Sequence, residues 1–206
     1  MSITREGYPL ILTVGLAAVV VLALGWGLAA GVLILMTIAV AAFFRDPERH
    51  IPDAEGLIVA PADGRIVSIA AVKDDAASAT RVSIFLSPLD VHINRIPVAG
   101  KIEDIRYRAG KFLAAYKEEA SECNERNALE VVDDHGRKVV VVQIAGVLAR
   151  RIVCRVRPGD RLKRGERFGL IMFGSRTDTY LPDGCRIEVS EGQRVKGGET
   201  VLGRFL

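Results

Sequence analysis

The sequence predicts a mainly β fold with minor α content, preceded by two short hydrophobic helices. Three observations carry this. Residues 10–44 hold no charged side chain, whereas the rest of the 206-residue chain mixes apolar and charged residues as a water-facing domain does. Beyond residue 56 the apolar residues come in short runs parted by glycines and prolines, the pattern of strands and turns. Nowhere do strands alternate with helices in the βαβ manner, which argues against a doubly wound sheet.

As a single helix, residues 10–44 would be about 52 Å long at about 1.5 Å per residue, too long for a hydrocarbon core of about 30 Å. Gly25-Trp26-Gly27 offers a break, two poor helix residues around an aromatic that favours the membrane interface. Two arms back to back then put Tyr8, Phe43 and Phe44 near one interface and Trp26 near the other. Arg5, Arg45 and Arg49 share one side, the cytoplasmic one by the positive-inside rule. Each arm is at the short limit for spanning, so the hairpin either crosses the bilayer or enters one leaflet. The expected location is the inner cell membrane with the rest of the chain on the cytoplasmic side. A secretory signal peptide fits poorly, because the run is too long and no small-residue cleavage site follows it. The charged stretch FFRDPERHIP, with its two prolines, closes the segment. It divides the chain into a membrane anchor, 1–50, and a β-rich domain, 51–206.

In that domain, strands are expected at 57–60, 65–72, 81–86 and 101–107. A helix is expected over 111–121, where Phe112, Ala115 and Tyr116 recur at helical spacing. Strands resume at 138–147, 151–156, 168–173, 185–189 and 200–205. GDRLKRGERFG (159–169) and GQRVKGGETVLG (192–203) form an internal repeat: glycine, an apolar residue three on, a second glycine three further, then a strand. These turns resemble those of lipoyl and biotinyl carrier domains, which implies a barrel-sandwich core. A membrane-tethered carrier or binding domain is therefore the non-enzyme alternative. It needs a modifiable lysine; Lys163 and Lys196 lie in the repeats, but neither has the Met-Lys-Met flank of the carriers.

A formal charge of +3, with no aromatic-rich basic stretch, gives no case for nucleic-acid binding. Cys123, Cys154 and Cys185 are an odd set without C-x-x-C spacing, pointing to a reducing compartment and no structural metal. Eight basic residues between Arg150 and Arg167, opposed only by Asp160 and Glu166, form either a solvated face or one turned to anionic lipid.

Few groups have catalytic range. The apolar run Leu170-Ile171-Met172-Phe173 ends at Gly174-Ser175, where a hydroxyl stands one peptide unit from a carbonyl that no Cβ shields. By itself that pair also reads as a strand end turning. His135 sits among carboxylates in a polar turn and His50 beside the membrane exit, whereas His92 lies in an apolar setting and is either packed or purposeful. Asp63, in PADGRIV, is either ordinary Asp-Gly turn chemistry or a carboxylate that orients an imidazole or takes a proton. Asp178 and Asp183 read as loop-shaping.

PADGRIV, FLSPLDVHINRIP, the Asn124-Glu125-Arg126 triplet and Phe173-Gly174-Ser175, in this order after a membrane segment ending in FFRDP, resemble the phosphatidylserine decarboxylases in their short form. The resemblance covers essentially the whole chain. It implies a proenzyme that cleaves itself between Gly174 and Ser175 and turns Ser175 into a covalent pyruvoyl group, the electron sink for a decarboxylation, with no separate cofactor. Fragments 1–174 and 175–206 would stay together, and a homo-oligomer is compatible. The substrate implied is an anionic phospholipid in a membrane, phosphatidylserine, with the ether-linked archaeal counterpart as the alternative. Carried over residue by residue, Ser175 is the nucleophile and pyruvoyl source, Asp63 belongs to the self-cleavage relay, and His92 assists maturation, protonates the product carbanion, or both. The longer family pattern has a second histidine where this chain has Arg95, which cannot act as a base and is instead a candidate contact for the substrate carboxylate or phosphate. Arg176 follows the serine where long forms usually have threonine, so their oxyanion arrangement does not transfer.

Overall fold

The computed structural model describes residues 2–74, 77–111, 113, 123–146, 151–172 and 175–206. It separates two compact units, Met1–Glu48 and Arg49–Leu206. In the first, α1 (Tyr8–Ala23) begins with a proline, whose missing N–H costs nothing in a first helical turn. Gly25, at φ +82°, ends it in a conformation that side chains resist, and α2 (Gly27–Phe43) follows. The helices lie against each other through small residues: Ala18 and Ala30 are buried, and a Cβ on Gly15 would stand 3.7 Å from Thr37 Cγ2. Large side chains such as Leu12, Leu16, Leu28 and Leu35 point outward. Two short strands, β1 (Ser2–Ile3) and β2 (Arg45–Asp46), pair antiparallel and tie the ends together. Among the described residues no helix is long and apolar enough to cross a membrane.

The second unit is mainly β, and every pairing between its described strands is antiparallel. Its first strands are β3 (Leu57–Val59), β4 (Gly64–Asp74), β5 (Ala77–Leu86), β6 (Ile93–Arg95) and β7 (Gly100–Arg108). Next come β8 (Arg126–Val132), β9 (Lys138–Ile144), β10 (Ile152–Cys154), β11 (Arg161–Leu162) and β12 (Arg167–Ile171). The last are β13 (Ser175–Pro182), β14 (Cys185–Ile187), β15 (Arg194–Val195) and β16 (Val201–Phe205). Eight of them form one curled sheet in the order β11-β7-β8-β9-β13-β5-β4-β15, and two three-stranded sheets, β10-β12-β6 and β14-β16-β3, complete the unit. The core is made by the alternate residues of these strands, among them Ile66, Ile84, Ile102, Leu129, Val141 and Phe168.

The internal repeat has a structural counterpart. Gly159 N–H donates to Ile102 O at 2.8 Å and Ile102 N–H to Asp160 O at 2.9 Å; Gly192 and Ile66, then Ile66 and Gln193, do the same at 2.8 and 2.9 Å. Further along, Gly165 N–H donates to Ile96 O and Gly198 N–H to Ala60 O, both at 2.8 Å. The partner segments, APADGRI (60–66) and IPVAGKI (96–102), are thus a second repeat, easily overlooked because only proline, glycine and the last isoleucine coincide. Gly165 and Gly198 both have positive φ, and both sit against the side chain of Ile51.

Two expectations change, and a third falls outside the described residues. The helix expected over 111–121 lies, but for Lys111 and Leu113, outside the described residues. β8 was not foreseen, although its alternation of buried and half-buried residues is regular. β13 was expected as loop, and instead runs between β9 and β5 in the large sheet. Asp178 accordingly shapes no loop: it is fully buried mid-strand, paired with Arg176.

Candidate active site

Ser175 is the first residue of β13, opposite Leu86 of β5. Strand alternation puts Ser175, Thr177, Thr179 and Leu181 on the face shared with Leu86, Ile84 and Val82, toward the core. Ser175 is fully buried, and its Oγ has no hydrogen-bond partner among the described residues. A buried hydroxyl left unmet costs about 1–3 kcal/mol, so its place here calls for a chemical reason rather than a packing one. Gly174, the other half of the expected cleavage pair, lies outside the described residues, as does Phe173.

His92 arrives at the same end of the sheet. β5 ends at Leu86, and the chain turns sharply through Ser87–Asp90: Ser87 N–H donates to Asp90 Oδ2 at 2.8 Å, and Asp90 N–H returns to Ser87 O at 2.9 Å. The turn brings Asp90 O to 2.9 Å from His92 Nδ1. A carbonyl oxygen can only accept, so Nδ1 carries a proton, and in the neutral form of the ring Nε2 holds the lone pair. The backbone of His92 in turn accepts from Ile171 N–H at 3.3 Å. Ile171 packs on Ala145, one residue beyond the Arg176–Ile144 pair and so level with Ser175. His92 is itself buried. His92 and Ser175 are thus linked through Ile171 and Ala145.

Asp63 stands farther off. It precedes β4, whose Arg65 faces Phe85 of β5, so it is two strand spacings, about 10 Å, from the backbone of Ser175. Arg49 Nη2 donates to both of its carboxylate oxygens, at 2.8 and 2.9 Å, and Gly197 N–H donates to Oδ1 at 2.8 Å. Neither His92 nor Ser175 is among these partners.

Arg95 sits beside the repeat turns. It is buried, Nη1 donates to Gly165 O at 2.9 Å, and its Cδ would stand 3.0 Å from a Cβ on Gly198. Its guanidinium clasps the two repeat turns. Asn124, in the Asn-Glu-Arg triplet, is a clamp as well: its side chain exchanges two 2.8 Å bonds with the backbone of Leu113 and donates to Ala145 O at 2.7 Å, fixing the residue level with Ser175.

Two buried polar clusters escaped the sequence reading. On the far face of β13, Arg176 Nε donates to Asp178 Oδ1 at 2.6 Å and Nη2 to Ser83 Oγ at 2.7 Å. On the core face, Asn127, Gln143 and Asn94 are joined by hydrogen bonds of 3.0 and 2.9 Å. A lone amide in the valine run KVVVVQI was the signal for the second; the first had none beyond Arg-x-Asp spacing.

Comparison with known proteins identifies a family and its relatives. A family profile described as phosphatidylserine decarboxylase matches residues 36–203. A protein of Symbiobacterium thermophilum is 49% identical over 206 residues, 98% of this chain and 95% of the relative. One of Syntrophus aciditrophicus is 45% identical, with 98% and 97% covered, and one of Gluconobacter oxydans is 55% identical, with 79% and 75% covered. All three relatives are named phosphatidylserine decarboxylase proenzyme.

Proposed function

The chain belongs to the phosphatidylserine decarboxylase family, and on that premise we propose that it is made as a proenzyme whose Ser175 becomes the reactive group. It is a carboxy-lyase that converts phosphatidylserine to phosphatidylethanolamine. The carrier alternative falls with that assignment, and no observation favours the ether-lipid one.

The observation that carries the reading is the buried Ser175 Oγ with no partner among the described residues, at the end of the sheet to which His92 is brought. Ser175 Oγ adds to the carbonyl carbon of residue 174 while His92 Nε2 takes its proton, and the peptide becomes an ester. Loss of the Ser175 Cα proton then expels fragment 1–174, and water replaces the nitrogen of residue 175, released as ammonia. The pyruvoyl group so formed supplies the electron-accepting carbonyl that ordinary side chains lack. His92 is suited to both proton transfers because Asp90 O fixes its tautomer, and a base so placed contributes about 10² to 10⁴ in rate. For Asp63 we retain a part in self-cleavage, through the turn it anchors at Gly197.

The cut suits the fold. β13 would begin at the new terminus yet keep β5 on one side and β9 on the other, so fragment 175–206 stays paired along its first strand. The matching repeat turns support a two-fold barrel-sandwich of carrier type. The charge-free helices, with their leucines outward, support a hairpin anchor entering the cytoplasmic leaflet. Mass spectrometry of the purified protein is the test: two fragments divided at 174/175, the smaller with a blocked, ketone-reactive start. An intact chain that releases CO₂ would refute the mechanism.

A further inference from the structure

The amide chain on the core face has a fixed polarity. Gln143 Nε2 lies 2.9 Å from Asn94 Oδ1 and 3.4 Å from Val153 O. Since a backbone carbonyl only accepts, that end of Gln143 must be its NH₂. Its Oε1 then takes the 3.0 Å bond from Asn127 Nδ2, and Asn94 must offer its oxygen to Gln143. What remains at the end of the chain is Asn94 Nδ2, a donor that is buried and has no hydrogen-bond partner among the described residues.

Its place is specific. Gln143 stands opposite Thr177 of β13, and Ser175 is two residues along on the same face, about 7 Å away along the strand. Asn94 and His92 are two apart and, by strand alternation, share a side of the chain that bonds to β12. On the face of β13 that Gln143 stands opposite, Ser175 Oγ and Thr177 Oγ1 are likewise buried without partners among the described residues. A donor held so firmly, with no acceptor among the described residues, suits one that gains its charge during reaction.

We propose that Asn94 Nδ2 is the oxyanion donor of self-cleavage, oriented by Gln143 and Asn127. This rests on the proenzyme reading above. When Ser175 Oγ bonds to the preceding carbonyl carbon, the proton leaves to His92 and the carbonyl π pair moves onto oxygen. Asn94 stabilises that negative oxygen until the carbon–nitrogen bond to Ser175 breaks and the nitrogen takes up a proton. Asn94 therefore serves formation of the ester and not the elimination after it.

The test follows freshly translated full-length chain on gels as fragments 1–174 and 175–206 appear, with and without hydroxylamine, which cuts an ester but not a peptide. Removing one oxyanion donor slows such steps by about 10²- to 10³-fold, so Asn94→Ala should cleave about that much more slowly, and hydroxylamine should release no fragments. Asn94→Asp fills the same space, keeps an oxygen toward Gln143 and lacks the donor, and should behave alike with its melting temperature near that of the parent. Cleavage of either variant at the parental rate overturns the proposal. So does slow cleavage that hydroxylamine rescues, because the ester then forms without Asn94, and so does a loss of cleavage that merely follows a loss of folding in both variants. A parent chain that never divides would overturn the proenzyme reading itself, a result separate from these.

Discussion

Arg49 Nη2 holds both carboxylate oxygens of Asp63, at 2.8 and 2.9 Å, so the carboxylate of PADGRIV is bound to the first residue of the β-rich unit. Both side chains are mostly buried, at 8% and 16% exposure, which lifts the pair above the near-zero worth of surface ion pairs. A double-mutant cycle of Arg49→Ala and Asp63→Ala should give a coupling of about 1.5–3 kcal/mol by denaturant unfolding. A coupling near zero would show the pair to be incidental. Asp63→Asn keeps an acceptor for Gly197 N–H and should lose the ion pair alone.

Ser175→Ala should abolish self-cleavage, leaving one full-length band and no CO₂ release. Because Ser175 Oγ has no partner among the described residues, the substitution should leave stability unchanged or raise it by about 1 kcal/mol. Thermal unfolding of the uncleaved variant measures this. A clear loss of stability would mean that the hydroxyl is a structural bond and not a stored nucleophile.

Asp178→Ala deprives the Arg176 guanidinium of its carboxylate inside the protein, where the partners are 1% and 0% exposed. Breaking a buried pair from one side costs about 3–5 kcal/mol, enough to endanger folding of the unit. Asp178→Asn, which keeps an acceptor, should cost less, and a urea titration of both variants ranks them.

The β8–β9 turn carries an acid-sensitive contact. Burial would raise the Asp133 carboxyl, but the backbone N–H of Arg137, its guanidinium and the N–H of His135 outweigh it and hold the group below its ordinary value. A depressed acid stabilises the fold fully above its unfolded pKa, about 3.9, and that contribution fades as pH falls through the lower native value. Asp133→Asn should therefore destabilise by about 1–2 kcal/mol near neutral pH and narrow its deficit below pH of about 4. Unfolding measured across that range checks the sign.

The residues of the candidate site could be picked out because they lie in short, typed motifs. Gly-Ser after an apolar run, a histidine in apolar surroundings and Pro-Ala-Asp-Gly are local patterns, and so are the charge-free segment and the glycine spacing of the repeat. Strands such as β4, β5 and β9 were visible for the same reason, since burial on one face forces alternation. β13 was not, because SRTDTYLP is polar and its burial depends on partners far away: Ser83 for Arg176, and the β9 residues opposite Thr177 and Thr179. The charge of Arg95 made it a candidate substrate contact in the sequence, whereas its engagement with Gly165 O was not visible there. Asn94 drew no notice between His92 and Arg95; only its bond to Gln143, forty-nine residues away, gives its free donor a direction. The sequence by itself determined the family-like motifs and the groups that are candidates to react. Which of them are buried, paired and aimed was decided by long-range strand register, the one quantity that no local pattern encodes.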